Sequence, residues 1–231
     1  MKLGEIKLMA LKLMFTDTDV TYDISDMQEY YNNSNTREKL IRMNDSINRA
    51  LSLYYQRVGL SRGKKVVELD KEPGNSTYYL NSIADIYEQI PDLNSVLKVR
   101  ISSPFKKTLY NSNFDFDGEE IVFMDLTRYV TEKEKENTTI EVFYEKEPKF
   151  LITKNGEAAK IDQDITFDFD DWGIPNEIQL QLPLFIKGEA YEEDEPQMAL
   201  YAKNEFLNFL QLVKKPRVVK QQTVRSRKWN K

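Results

Sequence analysis

The hydrophobic period of this chain changes twice, and those changes restrict its architecture more than any single motif. Before Lys64 and again from residue 166, apolar residues recur at three and four positions, the spacing of one buried helical face. Between them the apolar residues fall in short alternating runs bounded by turn dipeptides, as strands do. Such a chain has helical ends that must find each other across an inserted β segment.

The first helical part is clearest from Asn35, an N-cap with Glu38 three residues on in a capping-box pattern. Leu40, Met43, Ile47, Ala50, Leu51, Tyr54 and Val58 follow at helical spacing, and Gly59 stands where a C′ glycine ends a helix. Lys2–Met14 predicts a shorter helix with Leu3, Ile6, Met9, Ala10 and Leu13 on one stripe. The aspartate-rich Phe15–Asn33 reads as a loop, its Tyr30-Tyr31 pair capping the core edge.

At the other end, Ile174–Val213 predicts two antiparallel helices joined by the acidic turn Glu192-Glu193-Asp194-Glu195. Pro196 suits a first helical turn, and the acids before it suit the positive end of the helix dipole. Met198, Ala202, Phe206, Phe209 and Val213 form the expected buried face. Pro183, inside the first apolar run, predicts a kink or an irregular first turn. The first helical part is expected to pack on this hairpin.

The β-type runs are Val66–Leu69, Val96–Ile101, Thr108–Tyr110, Ile121–Leu126, Thr139–Tyr144 and Phe150–Thr153. Ala84–Gln89 fits a brief helical turn among them. Asp117-Gly118 and Asn155-Gly156 are dipeptides that suit type I′ hairpins. The expected fold class is α+β: a helical bundle formed by the N- and C-terminal helices, an inserted β-sandwich or small β-barrel, and an extended basic C-terminal tail. The boundaries are 1–63, 64–165, 166–213 and 214–231.

The chain has no cysteine and no histidine. That excludes thiol nucleophiles, disulfides, histidine general bases and most zinc or iron sites. No Gly-rich phosphate loop or nucleophile elbow occurs, and no apolar run is long enough to cross a bilayer. Two carboxylate patterns remain. Asn113-x-Asp115-x-Asp117-Gly118 mimics half a calcium loop, but Met124 stands where the bidentate glutamate belongs. Asp162, Asp164, Asp168, Asp170 and Asp171 could hold magnesium for a nuclease, yet no basic residue is interleaved for phosphate. The alternation of Asp168 and Asp170 with Phe167 and Phe169 suggests an exposed strand edge instead. No enzyme, cofactor or metal site is expected.

Charge is divided along the chain. All 38 acidic residues lie in the first 213 positions, whereas the last eighteen hold eight Lys/Arg and no acid. Within that tail Lys214, Lys215, Arg217, Lys220, Arg225, Arg227 and Lys228 flank Val218, Val219 and Trp229. Read as a polyelectrolyte it is a nucleic-acid arm. Its apolar anchors equally suit an extended segment docking on an acidic groove. The mixed charged face with Arg37, Arg42 and Arg49, and the turn residues Glu192, Glu193 and Asp194, are candidates for a subunit interface.

One arrangement goes further: an N-terminal helix, then Ile41-Arg-Met-Asn-Asp-Ser-Ile-Asn-Arg-Ala-Leu51, a β insertion, Leu-Pro-Leu-Phe-Ile-Lys-Gly-Glu-Ala-Tyr-Glu-Glu-Asp, an Ala-Leu-Tyr-Ala-Lys-Asn-Glu-Phe helix and a basic tail. In layout this resembles the bacteriophage head–tail connector (portal adaptor) proteins of the podovirus tail tubular protein A type. The resemblance implies a structural virion protein at the head–tail junction, assembled in the host cytoplasm as a ring, typically dodecameric. The tail would dock on the portal protein, tail or nozzle proteins would attach on the other side, and DNA would pass through the lumen without specific binding. The alternative is a nucleic-acid-associated assembly protein using the basic tail.

Overall fold

A computed structural model describes residues 1–15, 23–67, 82–83, 85–103, 107–110, 113–116, 120–123, 139–153 and 156–213. The chain is α+β, with helices at both ends and an inserted antiparallel β region. It divides into two compact units: Met1–Gly59 together with the chain from Phe150 on, and Leu60–Lys149.

The helical unit contains α1 (Leu3–Met14), a 3-10 turn (Ile24–Asp26), α2 (Met27–Asn32) and α3 (Ser34–Val58) from the first part of the chain. The second part adds α5 (Glu157–Thr166), a 3-10 turn (Phe169–Trp172), α6 (Asn176–Gln179), α7 (Leu182–Ala190) and α8 (Pro196–Leu212). Helix α7 packs against α1, α3 and α8, so both ends of the chain share one apolar core.

The expected buried face of α3 is found: all seven predicted apolar positions are buried, and Gly59 ends the helix at φ 102°. Its start differs. Asn33, not Asn35, is the N-cap, its side chain accepting from Asn35 and Thr36 N–H. Residues 27–32 are already helical, so the free N–H groups fall one turn earlier, and Glu38 pairs with Arg42 instead of closing a capping box. Part of the predicted loop is therefore helix, with Met27 and Tyr31 inside the core.

Four further expectations are corrected here. On α1 the buried stripe is Leu3, Ile6, Lys7, Ala10, Leu11 and Met14, while Met9 and Leu13 are exposed. On α8 it is Ala199, Ala202, Phe206 and Leu210, with Met198 exposed and Phe209 only part-buried. Both stripes are rotated because each helix is held by neighbours on one side that the spacing alone does not locate. Finally, Phe150–Thr153 forms no strand. Asn48 of α3 receives the Leu151 N–H (2.7 Å) and donates to its carbonyl (3.0 Å), while Asn44 donates to Ile152 O (3.0 Å). Helix side chains thus satisfy a backbone that a strand would otherwise pair. Gly156 is the N-cap of α5, and Asn155, the other half of the Asn155-Gly156 turn, lies outside the described residues. The inserted unit consequently ends at Lys149, not at residue 165.

Among the described residues the inserted unit has two sheets. Strands β1 (Arg62–Val67), β7 (Thr139–Lys146), β3 (Leu93–Ser103) and β4 (Lys107–Leu109) form one, in that order; β2 (Ser82–Ile83), β6 (Ile121–Phe123) and β5 (Phe114–Phe116) form the other. Their inner faces share one cluster: Val99, Ile101, Ile140 and Val142 with Ile83, Phe114, Ile121 and Phe123, closed by Ile86 of the short helix α4 (Ile86–Gln89) and by Ile90 just after it. This is a sandwich. Residues 117–119 and 124 lie outside the described residues, and with them the Asp117-Gly118 turn and the Met124 position of the calcium-like pattern.

Within this unit the Tyr144 hydroxyl donates to Asp92 (3.0 Å), and a Cβ at Gly63 would lie 2.3 Å from the Tyr144 ring, so only glycine fits opposite it. Burial and the Asp92 carboxylate push the Tyr144 phenol up to about 12. A raised folded-state pKa favours folding fully below the free tyrosine value near ~10 and loses that contribution as pH rises through about 12. The stability difference between wild type and Tyr144→Phe, followed by urea denaturation, should therefore narrow across that alkaline window.

Candidate functional site

The surface around the α7–α8 hairpin is where the candidate interface residues meet. Gly188 allows the two helices to approach closely: a Cβ there would sit 2.9 Å from Lys203 Cγ, 3.1 Å from Ala199 O and 3.3 Å from Ala202 Cβ. That approach brings Lys203 beside Glu189, whose other oxygen takes Arg49 of α3. Lys203 also pairs with Glu192 (2.9 Å). Burial works against the Lys203 charge, but the two carboxylates hold its ammonium above the usual range; the Lys203 bond holds the Glu192 carboxyl below its own.

The structure therefore spends several interface candidates within the chain. Arg49 and Glu192 belong to this α3–α7–α8 network, and Arg42 pairs with Glu38. Arg37 lies on the first turn of α3, and Glu193 and Asp194 are exposed in the turn before α8. The tail candidates, Lys214 to Trp229, lie outside the described residues.

What the charge pattern missed is an apolar surface. Helix α8 buries Ala199, Ala202, Phe206 and Leu210 on one side, yet on the other it presents Leu200, Tyr201 and Leu212 at 61, 69 and 79% exposure, with Met198 beside its start. The signal was present in the sequence: Tyr201 and Leu212 are eleven residues apart, about three helical turns, hence on the same side of the helix and off the stripe through Phe206.

Three aspartates of the cluster, Asp164, Asp168 and Asp170, make structural contacts. Asp164 is fully buried, its oxygens 2.7 and 2.9 Å from the ammonium of a fully buried Lys7, and it accepts from Tyr31 (3.1 Å). Burial pushes the Asp164 carboxyl up and the Lys7 ammonium down, because desolvation opposes both charges. Asp168 makes a single bridge with Lys2, accepts the Asp170 N–H and lies 3.0 Å from the Met1 amine; Asp170 accepts from Gln179. The predicted strand edge is thus one bridge followed by a 3-10 turn that buries Phe169 against Phe167 and Trp172. Among the described residues, no group of three His, Cys, Asp or Glu is placed to share a metal ion, and no helix is long and apolar enough to cross a membrane. No protein-family model matches the chain, and no curated protein matches it.

Proposed function

We propose that this protein is a structural virion component, a ring adaptor between a phage capsid portal and the tail, with DNA passing through the ring. The observation that carries this reading is the two-sided helix α8: one side completes the protein's own core, and the other offers Leu200, Tyr201 and Leu212 to solvent. A second copy of the chain is the occupant we assign to that side. On the flanking surface Lys203, Glu189, Arg49 and Glu192 neutralise one another, so the basic side chains beside this face are already paired within the chain. A head-to-tail contact repeated from copy to copy makes a ring when its rotation closes. The layout of terminal helices bracketing an inserted β unit and ending in a basic tail supports the same reading, as does a chain without histidine or cysteine for a structural rather than catalytic role.

Native mass measurement of the full chain tests it. We expect a ring of about a dozen copies, collapsed to monomer by Leu200→Glu/Tyr201→Glu with the melting transition retained, because both positions are exposed. A monomeric or dimeric wild type would overturn the ring. Truncation after Val213 should leave melting unchanged and abolish binding to portal particles; loss of duplex-DNA affinity with portal binding intact would instead support the nucleic-acid-associated alternative.

A further inference from the structure

The outward face of the four-stranded sheet has a composition that sandwich packing does not require. Ile140, Val142 and Tyr144 of β7 point into the core, so Glu141, Phe143 and Glu145 line the other face. Register sets Lys64 of β1 and Lys98 of β3 on either side of Phe143, with Arg100 one pair along, opposite Glu141. The Lys98 ammonium lies 4.5 Å, the Arg100 guanidinium 4.9 Å and the Lys64 ammonium 6.0 Å from the centre of the Phe143 ring. Three cations thus converge on one aromatic ring at the middle of a sheet. Glu141 relieves their mutual repulsion in part, 2.6 Å from Lys64 and 3.3 Å from Arg100. Arg62 extends the basic row on β1.

We propose that this face binds a single-stranded nucleic acid without sequence selectivity. Cations two residues apart on a strand stand about 6.6 Å from each other, so Lys98–Arg100 and Arg62–Lys64 form two parallel rows that can follow a phosphate backbone. The ring between them supplies the apolar surface on which a base stacks, the combination that single-strand binders use. An acidic peptide would use the cations but leave the ring without a role. A duplex hides its bases and could not reach Phe143. The inference does not depend on ring assembly, since every residue in it belongs to one sheet.

The test is fluorescence anisotropy of a labelled oligothymidylate with the full chain across a salt series. Wild type should bind, more tightly at low salt. Lys98→Ala/Arg100→Ala should weaken binding at least tenfold and lower the log–log salt slope by about 0.7 for each phosphate no longer neutralised. Phe143→Leu should weaken it about fivefold or more at every salt concentration. Glu141→Gln should act in the opposite sense and tighten binding, because it frees Lys64 and Arg100. Melting curves confirm that each variant is folded; if Phe143→Leu fails to fold, the charge variants decide. Absence of binding by wild type, equal binding by the variants, tighter binding of a duplex of the same length, or equal competition by polyglutamate would each overturn the inference. The tail is present in every variant, so binding that resides there appears as the equal-binding outcome.

Discussion

Lys7→Met will lose about 3–5 kcal/mol of folding stability, the cost of leaving a buried charge without its partner. The Lys7 and Asp164 side chains are both fully buried, and their pair joins α1 to α5, with Tyr31 adding α2. Gly4 makes the arrangement possible: a Cβ there would stand 2.8 Å from both the Asp164 carbonyl and Met27 Cε, so α1 lies directly on α5 and α2. The linkage signs are instructive. The raised Asp164 pKa favours folding below the unfolded-state value and loses that contribution as pH rises through the folded one. The lowered Lys7 pKa favours folding above its unfolded-state value and loses that contribution as pH falls through the folded one. Neither charge alone therefore favours the folded state between those ranges; each is retained because the other is there. It follows that Lys7→Met/Asp164→Leu, with Tyr31→Phe added to remove the hydroxyl that loses its acceptor, should recover most of the loss or exceed wild type. Urea denaturation of the single and combined variants measures this coupling. Losses that simply add would show that the pair is not a unit.

Phe206→Ala will cost about 3–5 kcal/mol, the range for truncating a buried aromatic residue. Phe206 is fully buried, and its ring meets Phe185 of α7 at 5.0 Å between centroids. The same helical stripe carries Ala199 and Ala202, which face Gly188. These small residues draw the two helices together, so α8 has little freedom to move inward and fill the space a missing ring would leave. The cavity term should therefore persist, visible as a lower urea midpoint with an unchanged slope. Exposed Leu212→Ala serves as the control on the same helix, expected within about 0.5 kcal/mol of wild type when measured on monomer. A midpoint unmoved by Phe206→Ala would mean that the buried face of α8 is elsewhere.

The residues differ in how much of this was legible beforehand. The α3 face and its terminal glycine could be read directly, because seven apolar positions at helical spacing followed by Gly59 admit one local structure. The change to strands in the middle was equally plain. Lys7 left only a faint trace: it falls between Leu3 and Leu11 at four-residue spacing, on the core side of an apolar helix. Asn44 and Asn48 left less, since a polar residue on a helix is ordinarily solvated, and nothing local shows that Leu151 needs their hydrogen bonds.

What the sequence determined by itself was the identity of the main segments: local periodicity, caps and prolines act within a few residues, and their energies are present in any isolated stretch. Tertiary structure alone decided which way α1 and α8 are rotated, that Phe150–Thr153 is held by helix asparagines instead of a strand, and that Asp164 enters a buried ion pair while Asp168 and Asp170 make turn contacts. The two most far-reaching of these outcomes depend on groups more than a hundred positions away, Lys7 for Asp164 and Asn48 for Leu151. Desolvation makes a buried polar group costly until its partner arrives, and only the folded chain brings that partner.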